Sequence, residues 1–116
     1  MGGGGALGSI MRYSVSLLFL RLGLTNFPAA TLTVNTTGSL VIGFLAVMLR
    51  DAHEVWRLLF IVGIVGGYTT FSAFSNETLA LFNNDQVFHA VLNVLLNVTV
   101  CLVCVYAGFR LAKAVL

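Results

Sequence analysis

The chain has 116 residues, of which 59% are hydrophobic and 9% charged, and its mean hydropathy is +1.00. These values exclude an ordinary soluble domain and predict an all-α membrane protein, because a helix satisfies its own backbone in lipid and the alternation of barrel strands is absent. The formal net charge of +2 is too small to indicate a nucleic-acid partner.

Four apolar runs are long enough to cross about 30 Å of hydrocarbon as helices. They cover residues 2–20, 29–49, 58–82 and 87–109, and the segments between them are too short for a second domain. We therefore predict one four-helix transmembrane unit over residues 1–116. The first run lacks a basic start, so it is not expected to be a signal peptide.

Basic residues are distributed unevenly between the two predicted sides of the membrane. Arg21 lies on one side, and the other side, which holds both termini, carries Arg50, Arg57, Arg110 and Lys113. Because basic residues accumulate on the cytoplasmic side, this distribution favours cytoplasmic termini.

Polar residues within the first two runs are candidates for function, because each is costly in hydrocarbon. Arg12 lies deep in the first run. It either pairs with an acid such as Glu77 or faces a wet vestibule that attracts anions. In the second run, the Asn35 amide either satisfies a nearby carbonyl or presents a donor to an anion.

The third run contains the stretch "GGYTTFSAFSNE", residues 66–77. A Gly-Gly pair followed by Tyr-Thr-Thr lowers helix propensity and predicts a break near residues 66–70. Such a break is either an ion or substrate site or a simple kink whose threonine hydroxyls bond to the previous turn. Phe71 and Phe74 either pack against lipid and a neighbouring helix or direct their positive ring edges toward a small anion.

The fourth run carries a stripe of polar and small residues at helical spacing. The stripe is either a helix-packing seam, with asparagines bonded to a neighbouring helix, or part of a polar path. Its cysteines form a CxxC without acidic neighbours, so they are expected to be packing residues rather than a redox site. Its members are His89, Asn93, Asn97, Cys101, Cys104 and Gly108.

Two stretches together resemble the signature of the Fluc, or CrcB-like, fluoride channel family: "GGYTTFSAFSNE" in the third run and "VNTTGS" in the second. "GGALGSIMRY" in the first run and the loop ending at Pro28 also resemble the family. The resemblance covers nearly the whole chain. It implies a passive, non-enzymatic channel in the plasma membrane that exports fluoride. It also implies an antiparallel, dual-topology homodimer with the third helix broken near the centre.

The resemblance also implies roles for individual residues. Backbone carbonyls of Gly66 and Thr69 correspond to the ligands of a structural sodium ion at the dimer axis. Phe71, Phe74 and Asn35 correspond to pore residues. Further residues expected at the pore or its vestibule are Thr70, Ser72, Ser75, Arg12 and Glu77, with Asn93 and Asn97 in support.

The chain departs from the family pattern in the fourth run. Asn93, Asn97 and Cys101 stand where a tyrosine and serines are usual, and Ala73 replaces a common threonine. These differences leave open whether the chain forms a homodimer or works beside a different subunit. The rival functions are a small four-span proton-coupled multidrug exporter, which needs an acidic residue that the first run lacks, and a helical adaptor that transports nothing.

Overall fold

The computed structural model describes residues 2–23 and 28–115, and the regular structure within those ranges is helical throughout, as predicted. A π-helix, with its wider hydrogen-bond spacing, takes up part of the third run. In chain order the elements are α1 (Gly2–Arg21), α2 (Ala29–Met48), α3 (Glu54–Arg57), the π-helix (Leu58–Val65), α4 (Gly66–Tyr68), α5 (Phe71–Asn83) and α6 (Val87–Val115).

Three helical stretches are long and apolar enough to cross a membrane, by length and composition: Ala29–Met48, Glu54–Asn83 and Val87–Val115. Their length and apolar composition are those of membrane-spanning helices. α1 has 20 residues, enough for about 30 Å, but its glycines, serines and arginines lower its hydropathy. A membrane span over the first run, residues 2–20, therefore stays a prediction.

Two helical stretches extend beyond the predicted spans. The third begins at Glu54, four residues before the predicted start at position 58, and the His53 side chain accepts a hydrogen bond from the Val55 N–H at its start. α6 continues past position 109 to Val115, and Arg110 in this extension hydrogen-bonds the Tyr106 hydroxyl one turn earlier. Charged residues are compatible with helix, so a helix can continue beyond the apolar run that hydropathy marks.

Backbone contact between α2 and α6 forms the most extensive helix packing of the described residues. A Cβ atom added at Gly43 would meet the Val105 carbonyl oxygen, and one added at Gly108 would meet the Leu40 carbonyl oxygen. The two glycines therefore let the helix backbones touch, which is how helices gain dispersion contacts in a membrane. This packing brings the polar stripe of α6 against the polar face of α2.

α1 packs mainly against the π-helix and α4, again through glycines. A Cβ atom at Gly8 would lie 2.7 Å from the Tyr68 nitrogen, and one at Gly67 would lie 2.6 Å from the Gly5 carbonyl oxygen. Gly67 is thus required for close approach, and both glycines of the Gly-Gly pair are helical.

The helical path of the third run is interrupted at two residues, whereas the sequence predicted a break over residues 66–70. Thr69 has φ −80° and ψ 158°, and Thr70 has φ −152° and ψ 123°, so both backbones are extended. Thr69 Oγ1 donates to the Val65 carbonyl at 3.1 Å, the bond to the previous turn that a simple kink would contain. Thr70 is the N-cap of α5, where a threonine hydroxyl can accept a backbone N–H.

Candidate functional site

Asn35 on α2 forms two hydrogen bonds with the backbone of Thr70. Its Oδ1 accepts the Thr70 N–H at 2.9 Å, and its Nδ2 donates to the Thr70 carbonyl at 3.1 Å. A side-chain amide carries the same donor and acceptor as a peptide unit, so Asn35 replaces the helical partners that Thr70 lacks. Of the two alternatives for Asn35, the structure shows the bond to a nearby carbonyl.

The bonds around Thr70 change the hydrogen bonding of the preceding turn. In a continuous α-helix, the Thr70 N–H would donate to the Gly66 carbonyl, but here it donates to Asn35. The Ala73 N–H, the usual partner of the Thr69 carbonyl, donates instead to Thr70 Oγ1 at 3.2 Å. These are the carbonyls of the two predicted sodium ligands. Neutral backbone oxygens are suitable ligands for an alkali cation, so this donor set fits the predicted group.

A chain of hydrogen bonds continues from Asn35 across the bundle to α5. Asn35 Nδ2 donates to Asn97 Oδ1 at 3.1 Å, and Asn97 Nδ2 donates to Asn93 Oδ1 at 3.0 Å and to the Asn93 carbonyl at 2.9 Å. Asn93 Nδ2 donates to Thr78 Oγ1 at 2.8 Å, and Thr78 Oγ1 donates to the Phe74 carbonyl at 2.7 Å. The asparagines of the fourth run therefore make the interhelical bonds expected of a packing seam.

A cavity of about 410 Å³ lies between α2, α6 and the start of α5. Its lining combines apolar side chains with the Asn35 and Asn97 amides. Cys101 also lines it, whereas Cys104, one turn later, is not among the lining residues. The predicted site residues that the cavity brings together are Asn35, Thr69, Thr70, Phe71, Phe74 and Asn97.

Phe71 and Phe74 meet at the edge of this cavity. Their ring centroids are 5.3 Å apart and their planes are inclined by 60°, an edge-type contact. Phe71 is 78% exposed and Phe74 is 8% exposed. Ser72 and Ser75 are exposed and lie outside the cavity lining; Ser72 bonds Thr70 Oγ1 at 3.2 Å, and Ser75 donates to the Phe71 carbonyl at 2.9 Å.

Arg12 and Glu77 line a second, more polar cavity of about 390 Å³. Glu77 Oε1 accepts a hydrogen bond from Thr31 Oγ1 at 2.7 Å, and Glu77 Oε2 is a buried oxygen without a hydrogen-bond partner. Within residues 2–23 and 28–115 the only ion pair joins Arg50 and Asp51, so Arg12 and Glu77 do not pair. Of the two alternatives for Arg12, pairing with Glu77 is therefore not seen, and the vestibule role stays a prediction.

Two threonines of the site were not singled out from the sequence. The Thr31 hydroxyl donates a hydrogen bond to Glu77, and the Thr78 hydroxyl accepts one from Asn93. The available signal for Thr31 was its position one turn before Asn35, which places both on one face of α2. Thr78 had no comparable signal, because threonine is common in membrane helices and usually bonds only to its own backbone.

Comparison with known proteins identifies the family. Residues 1–109 match the family described as "CrcB-like protein, Camphor Resistance (CrcB)". A protein of Elusimicrobium minutum named "Fluoride-specific ion channel FluC" is 51% identical over 117 residues, covering 100% of this chain and 93% of the relative. Proteins of the same name from Shewanella amazonensis and Rhizobium meliloti are 46% and 42% identical, covering 93% and 98% of this chain and 89% and 94% of each relative.

Proposed function

The chain belongs to the CrcB family, and from this premise we propose that it forms a passive, fluoride-specific ion channel rather than an enzyme. The observation that carries the proposal is the alignment with a relative of that name over 100% of the chain, at 51% identity. Both motifs, "VNTTGS" and "GGYTTFSAFSNE", lie within the matched residues.

The first cavity offers groups suited to a small, strongly hydrated anion. A selective pore must replace lost hydration with well-placed donors while it binds weakly enough to release the ion. The ring edges of Phe71 and Phe74 and the amide of Asn35 are such groups, and they line one cavity. Thr70 lies among them, Ser72 and Ser75 lie beside them, and Arg12 and Glu77 line the second cavity, which is the proposed vestibule.

The functional unit in this proposal is an antiparallel, dual-topology homodimer in the plasma membrane. In each subunit α1 crosses the membrane in addition to the three apolar helical stretches. In this proposal the Phe71 ring, which is 78% exposed in one subunit, faces the partner subunit rather than lipid. The extended residues Thr69 and Thr70 would then meet their symmetry copies near the centre of the bilayer.

A structural sodium ion at the dimer axis completes the proposal. The carbonyls of Gly66 and Thr69 would hold it, two from each subunit, and their usual helical donors are committed to Asn35 and Thr70. Bound there, the cation would offset the mutual repulsion of the four carbonyl oxygens that converge at the axis.

Fluoride efflux from liposomes tests the function directly. We expect purified protein to release fluoride rapidly when a potassium ionophore compensates the charge, with little chloride release and no requirement for a proton gradient. Efflux that depends on a proton gradient would instead support the exporter. If the purified chain alone gives no fluoride flux, and flux appears after addition of a second subunit type, the result would support a heteromeric channel. Absence of flux in both conditions would support the adaptor.

A further inference from the structure

We propose that Asn97 and Asn93 are positioning residues that fix the orientation of the Asn35 amide and, through it, the hydrogen bonds of Thr70. The inference deepens the proposed function, on which it rests, by assigning a task to the part of the fourth helix that departs from the family pattern. Neither residue needs to touch the ion for this task.

The direction of the hydrogen-bond chain is set at its far end. The Phe74 carbonyl can only accept, so the Thr78 hydroxyl donates to it and leaves its own oxygen as an acceptor. Asn93 Nδ2 donates to that oxygen, which leaves Asn93 Oδ1 to accept from Asn97. The Asn93 carbonyl, which accepts from Asn97 Nδ2 at 2.9 Å, requires the same orientation of Asn97.

Asn97 and the two backbone groups of Thr70 require the same orientation of the Asn35 amide. Because Asn97 Nδ2 is held by Asn93, Asn97 Oδ1 faces Asn35 and can only accept. Asn35 must present its Nδ2 there, and its Oδ1 is left facing the Thr70 N–H. A flipped Asn35 amide would place oxygen against oxygen at both Asn97 and the Thr70 carbonyl, an arrangement with lost bonds and electrostatic repulsion.

Burial makes this chain difficult to replace by water. Asn93 is 1% exposed and Asn97 is 6% exposed. A buried amide that loses its partner stays unsatisfied, so removal of one link leaves a cost at the next. Thr70, at the end of the chain, is the N-cap of α5 and lies directly before Phe71.

Hydrogen exchange at the Thr70 N–H, combined with fluoride efflux, tests the proposal. Asn97→Leu keeps a similar volume and removes the acceptor for Asn35. We expect it to accelerate Thr70 N–H exchange and to lower fluoride flux, each by about tenfold, because an unsatisfied buried amide is costly. Thr78→Val breaks the chain further away without touching Asn35 or Asn97, and is expected to change both in the same direction but by less, because the Asn93 carbonyl still accepts from Asn97.

Thr99→Val is the matched control. Thr99 also lies on α6, but its exposed hydroxyl donates only to the Leu95 carbonyl. It should leave both exchange and flux unchanged. Asn97→Ser places a hydroxyl, which can accept and donate, where Asn97→Leu has none. Its flux is expected to lie between those of Asn97→Leu and the wild type.

A double-substitution experiment separates positioning from packing. If Asn97 acts through Asn35, adding Asn97→Leu to Asn35→Ser should lower flux no further than Asn35→Ser alone. Independent, multiplying losses would overturn the proposal. Thr70 exchange at the wild-type rate in folded Asn97→Leu would also overturn it.

The two readouts keep this proposal apart from the proposed function. Exchange is measured on the full-length protein in detergent and does not require fluoride transport. Absence of fluoride flux from the wild-type protein, both alone and with a second subunit type, would reject the channel proposal, whereas the exchange rates of the variants would still decide whether Asn97 and Asn93 position Asn35.

Discussion

Phe71 and Phe74 are one helical turn apart, yet they occupy different environments. Phe71 is largely exposed in a single subunit, whereas Phe74 is buried between helices. Their rings nevertheless meet in an edge-type contact, and both line the cavity that contains Asn35. Replacement of either ring by isoleucine should therefore have the same effect on fluoride flux but different effects on stability.

We predict that Phe71→Ile and Phe74→Ile each suppress fluoride flux while leaving the dimer assembled, because isoleucine has no ring edge to offer an anion. Phe74→Ile should also lower the free energy of unfolding by about 1 kcal/mol or more, since a reshaped buried side chain leaves packing defects. Phe71→Ile should not. Efflux assays and thermal denaturation in detergent measure the two effects.

The control for the aromatic pair is Phe82→Ile. Phe82 is also on α5 and exposed, but it lies outside both cavities. Its replacement should leave flux unchanged. Wild-type flux in both Phe71→Ile and Phe74→Ile would show that the two rings serve packing and do not contact the ion.

At the scale of the residue, the sequence indicated several side chains that line the first cavity, but not their hydrogen-bond partners. The spacing of Phe71 and Phe74 and the position of Asn35 were readable from the sequence, but the bonds from Asn35 to Thr70 and Asn97 were not. Those bonds join residues far apart in the chain. A single sequence carries no information on which helix faces which.

Glycines determine how closely the helical elements approach. Gly43 and Gly108 allow α2 and α6 to touch through their backbones. The Asn35–Asn97 bond depends on the same approach, because both amides are short and belong to these two helices. The spacing of the helices therefore sets the geometry of the polar chain.

We predict that Gly43→Ala lowers the free energy of unfolding by about 1–3 kcal/mol, because the added Cβ meets the Val105 carbonyl and overpacks the interface. Gly3→Ala is the control: a Cβ atom at Gly3 meets nothing within 4 Å, and alanine favours helix over glycine. Chemical denaturation in detergent compares the two. Equal stability of both variants would contradict close contact between α2 and α6.

The two cysteines of α6 provide a second prediction at this scale. Both are free thiols of intermediate exposure, but only Cys101 lines the cavity of the predicted pore. A negatively charged thiol reagent should therefore lower fluoride flux in Cys104→Ser, where Cys101 remains, and have little effect in Cys101→Ser. Inhibition in Cys101→Ser alone would place the ion path elsewhere.

At the scale of the element, hydropathy located the helices well and their irregularities poorly. It cannot distinguish the π-helix over Leu58–Val65 from α-helix, because the two differ in backbone hydrogen-bond spacing and not in the hydropathy of their residues. Low helix propensity at residues 66–70 did not reveal that Gly67 serves packing against Gly5, or that the extended residues are Thr69 and Thr70. Tertiary contacts decide these details.

The whole molecule is an elongated helical bundle with extents of 48 × 28 × 23 Å. α6, with 29 residues, is about 43 Å long and therefore exceeds the hydrocarbon thickness of a bilayer. At its C-terminal end, Arg110 lies 5.9 Å from the Tyr106 ring centroid and Lys113 lies 4.9 Å from that of Phe109. Such cation and aromatic pairs are typical of a membrane interface.

Sodium removal tests the proposed assembly of the whole molecule. We predict that replacing sodium by choline at constant ionic strength lowers the thermal midpoint of the dimer, and that sodium restores it in a concentration-dependent manner. A ligand at 100 times its Kd stabilises the bound state by about 2.7 kcal/mol. A midpoint that is independent of sodium would contradict a structural cation at the carbonyls of Gly66 and Thr69.

Asn35 has a consequence for the lifetime of a bound ion. Both N–H groups of its amide are already engaged, one with the Thr70 carbonyl and one with Asn97. An anion that takes one of these donors must displace an oxygen already bonded to it, so the encounter is an exchange of one acceptor for another. The net gain is small, and a small gain means rapid dissociation. An occupied donor thus favours the brief residence that fast conduction requires.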